Sequence, residues 1–282
     1  MSGGFGEIAE RLRRITVQVF SGRSGRGSGV IWGEDGKVLT NAHVLNGNRV
    51  EVELWSGQRF PASIQKVDSE RDLAALRINA GGLLGASPGD STALRAGELV
   101  IAVGSPYGFI GAVSTGVIHS VGPQPIGSAR RWVASDVRLA PGNSGGPLAN
   151  AKGEVIGLNT MIAGNLSLAI PSQAVARFLT RESTNPLLLG ITTRPVPLGG
   201  GSGQIGFLIL EMTPQSAADR ASLLPGDLLV GAAGRPFGSL DDLEDAMDCT
   251  AGRPLEIEFR RGTTRQVRRV VAQMAVERVR AA

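Results

Sequence analysis

The chain has 282 residues, enough for two domains that each bury a core, and 40 glycines with only 4% aromatics favour a β-rich, turn-rich protein. One cysteine excludes an internal disulfide, no Cys, His and acidic residues fall at metal-ligand spacing, and no run of about 18 apolar residues could span a membrane. The net charge of +4 comes from scattered arginines without stacking aromatics, which argues against nucleic acid as a partner and for solvated faces.

Phe5, Ile8, Leu12 and Ile15 recur at helical spacing, so the chain opens on a short amphipathic helix leading into a strand at 16–20. Residues 21–29 are polar and glycine-rich and read as a connection. Strands follow at 30–32, 37–40, 49–54, 60–67 and 73–78, each bounded by Gly, Asn, Asp or Pro turn signals. Six short antiparallel strands at this spacing suit a small closed barrel. A turn-rich join at 81–90 precedes a second set at 99–103, 114–121, 132–135, 147–148, 155–160 and 166–170, read as a second barrel. Residues 171–180 read as a helix with Ser172 as N-cap and Val175, Phe178 and Leu179 facing inward.

Residues 181–186 form a polar linker, dividing a first domain (1–180) from a second (187–282). The second begins with an apolar stretch at 187–191 and a loop at 198–206. Strands are expected at 207–210, 228–232, 255–259 and 266–271, and helices at 216–221 and 240–249. Gly199, Gly200, Gly201, Ser202 and Gly203 lack the lysine and hydroxyl of a phosphate loop, so that stretch is a connection.

The chemistry centres on Pro141-Gly142-Asn143-Ser144-Gly145-Gly146-Pro147. Three glycines around one serine make a turn whose backbone can approach a substrate closely and aim amides at one point. A serine hydroxyl needs a base within reach and a group that orients the base. The chain has two histidines. His119 has no acidic or nucleophilic sequence neighbour and reads as an ordinary strand or loop residue, whereas His43 follows an apolar strand in Leu39-Thr40-Asn41-Ala42-His43-Val44. Asp72 stands just before the strand Leu73-Ala74-Ala75-Leu76. The order His, Asp, Ser is one of those that build an acyl-transfer triad.

Thr40-Asn41-Ala42-His43-Val44, Arg71-Asp72-Leu73-Ala74 and Gly142-Asn143-Ser144-Gly145-Gly146-Pro147 resemble the signatures of the HtrA (DegP/DegS-like) branch of trypsin-like serine proteases. The resemblance implies a mostly β fold, a double six-stranded antiparallel β-barrel followed by a small α+β PDZ domain, and a serine endopeptidase needing no cofactor or metal. It assigns His43 as base, Asp72 as orienting acid, Ser144 as nucleophile, and the amides of Gly142 and Ser144 as the oxyanion hole. Asn143 replaces the aspartate of trypsin-like zymogens, so activation should not require proteolytic maturation. Thr160 is either the hydroxyl that supports the triad aspartate or a plain strand threonine.

By the same resemblance, the pocket for the residue before the cut is lined by Leu139, Ala140, Met161, Ile162 and Leu168, which favours small or medium aliphatic side chains. Arg138 takes the pocket-floor position, either as an acid-selecting group or turned to the surface. Ser216-Ala217-Ala218 and Leu224-Pro225-Gly226-Asp227 resemble a PDZ domain. Leu188, Leu189, Gly190 and Ile191 would be its carboxylate loop, with 187–191 as a core strand the competing reading, and Leu243, Ala246 and Met247 would line the groove. Expected partners are unfolded polypeptides, C-terminal peptides at that groove, and two further copies in a homotrimer packed through Phe5, which otherwise helps to close the first barrel. Residues 122–131 would be a sensor loop. A non-proteolytic peptide-binding chaperone is the alternative. Family members work in the periplasm or cell envelope, yet Met1-Ser2-Gly3-Gly4 lacks an export pattern, which would mean the cytoplasm for a complete chain.

Overall fold

A computed structural model describes residues 4–22, 25–47, 49–123, 130–180, 189–199, 204–239, 241–249, 253–262, 264 and 266–274. The chain divides into two compact units, Met1–Gly122 with Trp132–Arg181, and Pro123–Arg131 with Glu182–Ala282.

In the first unit, helix α1 (Phe5–Ile15) buries Leu12 and Ile15 and carries Glu7 in its first turn and Arg13 and Arg14 in its last, complementing the helix dipole. The helix gives way at Thr16, whose hydroxyl donates to Leu12 O at 2.7 Å. Six strands follow: β1 (Thr16–Ser21), β2 (Gly25–Ile31), β3 (Lys37–Thr40), β4 (Val50–Glu53), β5 (Arg59–Asp68) and β6 (Leu73–Ile78). They close into an antiparallel barrel in the order β1-β2-β3-β6-β5-β4, around Val17, Val19, Val38, Val52 and Leu76.

Strand β2 corrects the reading of 21–29 as a connection. Its glycines serve close packing: a Cβ on Gly27 would stand 2.7 Å from Val44 Cγ2 and 3.1 Å from Ser144 O, and one on Gly29 would stand 2.9 Å from Leu39 O. The lack of side chains lets the strand pass against its neighbours without leaving the sheet.

The second barrel has strands β7 (Leu99–Gly104), β8 (Ala112–Pro123), β9 (Arg131–Ser135), β10 (Pro147–Asn150), β11 (Val155–Ala163) and β12 (Leu166–Pro171), in the order β10-β11-β12-β9-β8-β7. Helix α2 (Ser172–Thr180) follows, burying Val175 and Phe178. The N-cap expectation fails, because Ser172 lies inside the helix and its hydroxyl donates to Gly89 O at 2.6 Å. Ser91 takes that part instead, accepting the Gln173 N–H at 3.1 Å. One apolar cluster joins the barrels: Leu12 from α1 and Val30, Leu39 and Leu73 from the first meet Ile101, Val103 and Leu158 from the second and Phe178 from α2. The two barrels therefore share one core, in which each fully buried side chain of this size contributes about 1.5–3 kcal/mol.

The second unit contains β13 (Ile191–Pro197), β14 (Ile205–Met212), α3 (Ala217–Arg220), β15 (Leu228–Ala232), β16 (Arg235–Pro236), α4 (Asp241–Cys249), β17 (Pro254–Arg260) and β18 (Arg268–Gln273). The sheet runs β13-β14-β15-β17-β18, with β16 against β15. Pro195 and Pro197 disguise β13 in the sequence, but it lies at the sheet edge, where the missing N–H groups are tolerated. Ser216 caps α3 by accepting from Asp219 N at 3.2 Å. Leu189, Ile209, Leu229, Leu243 and Ile257 form the core, with Phe207 edge-on to Phe237 at 5.2 Å. Among the described residues no helix is long and apolar enough to cross a membrane.

Candidate active site

The first barrel brings His43 and Asp72 together through strand order. Strands β3 and β6 are neighbours, with Thr40 opposite Ala74, so the turn after β3 and the residue before β6 meet at one end of the pair. His43 occupies a short 3-10 turn, Ala42–Val44. Its Nδ1 lies 2.8 Å from Asp72 Oδ2 and 3.0 Å from Oδ1, and its backbone N–H donates to Oδ1 at 2.9 Å. Thr160 Oγ1 donates to Oδ2 at 2.6 Å, and Asn41 Nδ2 donates to the Asp72 carbonyl at 2.9 Å. Asp72 has φ 56°, a left-handed conformation costly for a non-glycine residue, which these bonds hold in place.

Ser144 lies in the turn before β10. Here Gly142 (φ 106°) and Gly145 (φ 86°) adopt backbone that favours glycine, and a Cβ on Gly145 would collide with Ser28 O and Thr40 Oγ1. The turn is fastened to the first barrel: Ser28 N donates to Ser144 O at 2.8 Å, and Ser28 Oγ donates to Gly142 O at 2.7 Å while accepting Ser105 N at 2.9 Å. Tyr107 N donates to Pro141 O at 3.0 Å, which turns the Gly142 N–H of that trans peptide the other way. Among the described residues neither the Gly142 N–H nor the Ser144 N–H has an acceptor. The Ser144 hydroxyl donates to Thr160 O at 3.0 Å and not to His43.

Burial pushes the Asp72 carboxyl up, but the hydrogen bonds from His43 and Thr160 outweigh it and hold the group below the usual carboxylate range. The hydrogen bond to Asp72 raises His43 above its ordinary value, against a smaller opposing effect of burial. An oriented, strengthened base thus stands over a cavity of about 380 Å³ that Ser144 and Gly142 also line.

The other expected site residues fall into separate places. Leu139 and Ala140 are half-buried, Met161 and Ile162 are exposed, and Leu168 is buried in the shared core opposite Met161. Arg138 is exposed, with its backbone N–H on Ser114 Oγ at 3.0 Å, so its placement lends nothing to an acid-selecting role at a pocket floor. In the second unit Leu189, Ile191, Leu243, Ala246 and Met247 share one apolar cluster. Gly190 has φ 75°, and a Cβ there would strike Ser216 Cβ. Leu188 and most of the expected sensor loop, 124–129, lie outside the described residues. His119 does have an acidic neighbour: its Nε2 is 3.4 Å from Asp136 Oδ2, brought there from another strand end, with both side chains near half exposed. Sequence reasoning missed Ser28 and Tyr107, whose roles come from long-range contacts that leave no local pattern, and gave no role to Asn41 although it stands in the motif around His43.

Residues 27–158 match the model of the trypsin-like peptidase domain. The chain is 35% identical over 271 residues to the HhoB protein of Synechocystis sp., covering 86% of this chain and 65% of that protein. It is 36% identical over 266 residues to serine protease HTRA1 of Xenopus tropicalis, covering 84% of this chain and 57% of the relative. It thus spans between 57% and 65% of the length of these two relatives. Among solved structures, the HtrA-type protease AlgW with a tripeptide superposes with a TM-score of 0.76 at 25% identity over 98% of both chains. A serine endoprotease from Yersinia pestis shares the fold, with a TM-score of 0.70 at 24% identity over 98% of this chain and 99% of the other. The linked His, Asp and Thr side chains beside a glycine-framed serine thus stand in a chain that carries a trypsin-like peptidase domain match and is similar to HtrA-type serine proteases.

Proposed function

We propose that the chain is a serine endopeptidase that hydrolyses peptide bonds of unfolded or misfolded polypeptides through an acyl-enzyme. The observation that carries this reading is the Asp72 carboxylate, clamped by His43 and Thr160 so that the imidazole can present only Nε2 to the cleft. For attack, the Ser144 hydroxyl must leave Thr160 O and turn toward His43, which lines the same cavity. The imidazole accepts its proton as Oγ adds to the carbonyl carbon, and returns it to the leaving amine when the C–N bond breaks. Asp72 stabilises the imidazolium. The free N–H groups of Gly142 and Ser144 are available to the oxyanion, an interaction whose loss costs about 100- to 1,000-fold in rate. Water then repeats the sequence on the acyl-enzyme.

A chaperone that only holds chains has no use for this arrangement, which orients one imidazole tautomer beside a nucleophile. The test is covalent labelling of Ser144 by a peptidyl organophosphonate. Labelling and casein cleavage should both vanish in Ser144→Ala and His43→Ala, whereas labelling that survives His43→Ala would refute the mechanism.

The second unit is proposed to be a PDZ domain that takes apolar C-terminal peptides along β13, with Leu188, Leu189, Gly190 and Ile191 as the carboxylate loop and Leu243, Ala246 and Met247 on the facing helix. In support, β13 is a sheet-edge strand and its flanking residues share an apolar cluster with α4. Peptide capture is proposed to raise turnover through residues 122–131. The enzyme is proposed to work as a homotrimer in the cell envelope, with Phe5, 56% exposed at the start of α1, packing between copies. A sedimentation mass of one chain at working concentration would remove the trimer, and equal turnover with and without an apolar C-terminal peptide would remove the activation.

A further inference from the structure

The cavity beside His43 has a direction relative to the bond that is cut. Because the imidazole hands its proton to the leaving amine, the polypeptide after the cut departs from Ser144 past His43. The cavity lies on that side: Arg26, His43, Val44, Asn46, Gly142 and Ser144 line it, and none of the residues at 138–140 or 160–168 does. It opens on the leaving-group half of the cleft, away from the expected pocket for the residue before the cut.

One permanent charge stands in its wall. Arg26 leaves β2 with its guanidinium carbon 5.2 Å from the Phe20 ring centroid and one terminal nitrogen 3.5 Å from where a Gly108 Cβ would be. Arg59 shares the same ring at 4.6 Å, but its charge is matched by Glu53 at 2.5 Å. Arg26 is exposed and has no carboxylate partner among the described residues, and no carboxylate lines the cavity. Asp72, behind the imidazole, is fully engaged by His43 and Thr160. An aromatic platform thus holds a planar cation, its donors uncommitted, over the path of the departing chain.

We infer that this cavity is the subsite for the first two residues after the scissile bond, and that Arg26 makes it select an acidic side chain there. The proposal rests on the protease reading above. An aspartate or glutamate entering past His43 would meet the guanidinium as a charge-assisted, two-point acceptor, whereas a lysine would be repelled.

The experiment uses the full chain and internally quenched peptides that share one aliphatic residue before the cut and carry Asp, Asn or Lys at the first or second position after it. Exposed charge pairs of this kind favour Asp over Asn by about two- to fivefold in kcat/KM, with Lys disfavoured by a similar factor. Arg26→Gln should level the series and Arg26→Glu should invert it. Each comparison is a ratio within one variant, so a general loss of activity cancels. Raising the ionic strength to about 0.5 M should compress the wild-type preference, because mobile ions screen an exposed pair. Equal rates for Asp and Lys peptides in the wild type, or an order unchanged in Arg26→Glu, would overturn the proposal while leaving the protease reading intact. A wild-type chain that cuts none of the peptides would overturn both.

Discussion

Replacing Asp72 by Asn tests the central geometry, because the positions of the surrounding donors dictate how the amide must sit. The His43 backbone N–H donates to Oδ1 at 2.9 Å, so the amide oxygen must stay there. The NH2 group then takes the Oδ2 position, 2.8 Å from His43 Nδ1 and 2.6 Å from Thr160 Oγ1. The threonine hydroxyl can rotate to accept, but Nδ1 can accept only if its own proton moves to Nε2. The imidazole would then point a donor at Ser144 and could no longer serve as its base. In a triad of this type such a tautomer error lowers kcat by about 10,000-fold, or roughly 5.4 kcal/mol of barrier. The pH profile supplies a second readout. Activity needs neutral His43, so wild-type kcat/KM should fall as pH drops through a value above the ordinary 6.5. With the carboxylate gone the raising interaction is lost while burial still lowers the pKa, so the acid limb of the residual activity should move below that value. Stopped-assay rates across neutral and acid pH would measure both. An Asp72→Asn enzyme within tenfold of wild type, with its acid limb unmoved, would refute the reasoning.

Thr160→Val removes a donor from the partly buried Asp72 carboxylate and should cost about 1.5–3 kcal/mol in urea unfolding at neutral pH, with Thr160→Ser restoring most of it. Because the folded pKa of Asp72 is depressed, its stabilisation is present above the unfolded pKa and fades as pH falls through the folded one. The gap between the Thr160→Val variant and wild type should therefore narrow in acid; a constant gap would mean that the hydroxyl acts through packing. Gly145→Ala places a Cβ against Ser28 O and Thr40 Oγ1, so organophosphonate labelling should fall at least tenfold even where circular dichroism is retained; unchanged labelling would contradict the tight turn. In the second unit, Asp227 is almost wholly buried and bound by Arg261 at 2.6 Å and 2.7 Å. Arg261→Ala should destabilise that unit by about 3 kcal/mol, read as a shift in its own unfolding transition, and no shift would show that water replaces the guanidinium.

The residues that do chemistry were the easiest to find, because few residue types can act as nucleophile, base and orienting acid, and the chain offers only two imidazoles. Barrel strands were legible wherever β-branched residues alternated between turn signals. Strand β2 was legible only at its end, because its first residues are rich in glycine and look like a loop. Strand β13 was expected only through the PDZ resemblance, as the edge strand after Gly190, because Pro195 and Pro197 hide it from residue patterns. Ser172 has the chemistry of a cap, but the helix took its cap from Ser91 in the connecting segment, and no local pattern records that pairing. Ser28 escaped for the same reason: its hydroxyl bridges Ser105 and Gly142, which are far from it in sequence but adjacent in space.

That bridge has a further consequence. Ser28 belongs to the amino-terminal barrel, and the catalytic loop it grips belongs to the other. Neither barrel of the first unit therefore holds the full group alone: His43, Asp72 and Ser28 come from one, and Ser144 and Thr160 from the other. During synthesis the proposed catalytic group stays unassembled until residues beyond 160 have emerged and Thr160 can reach Asp72.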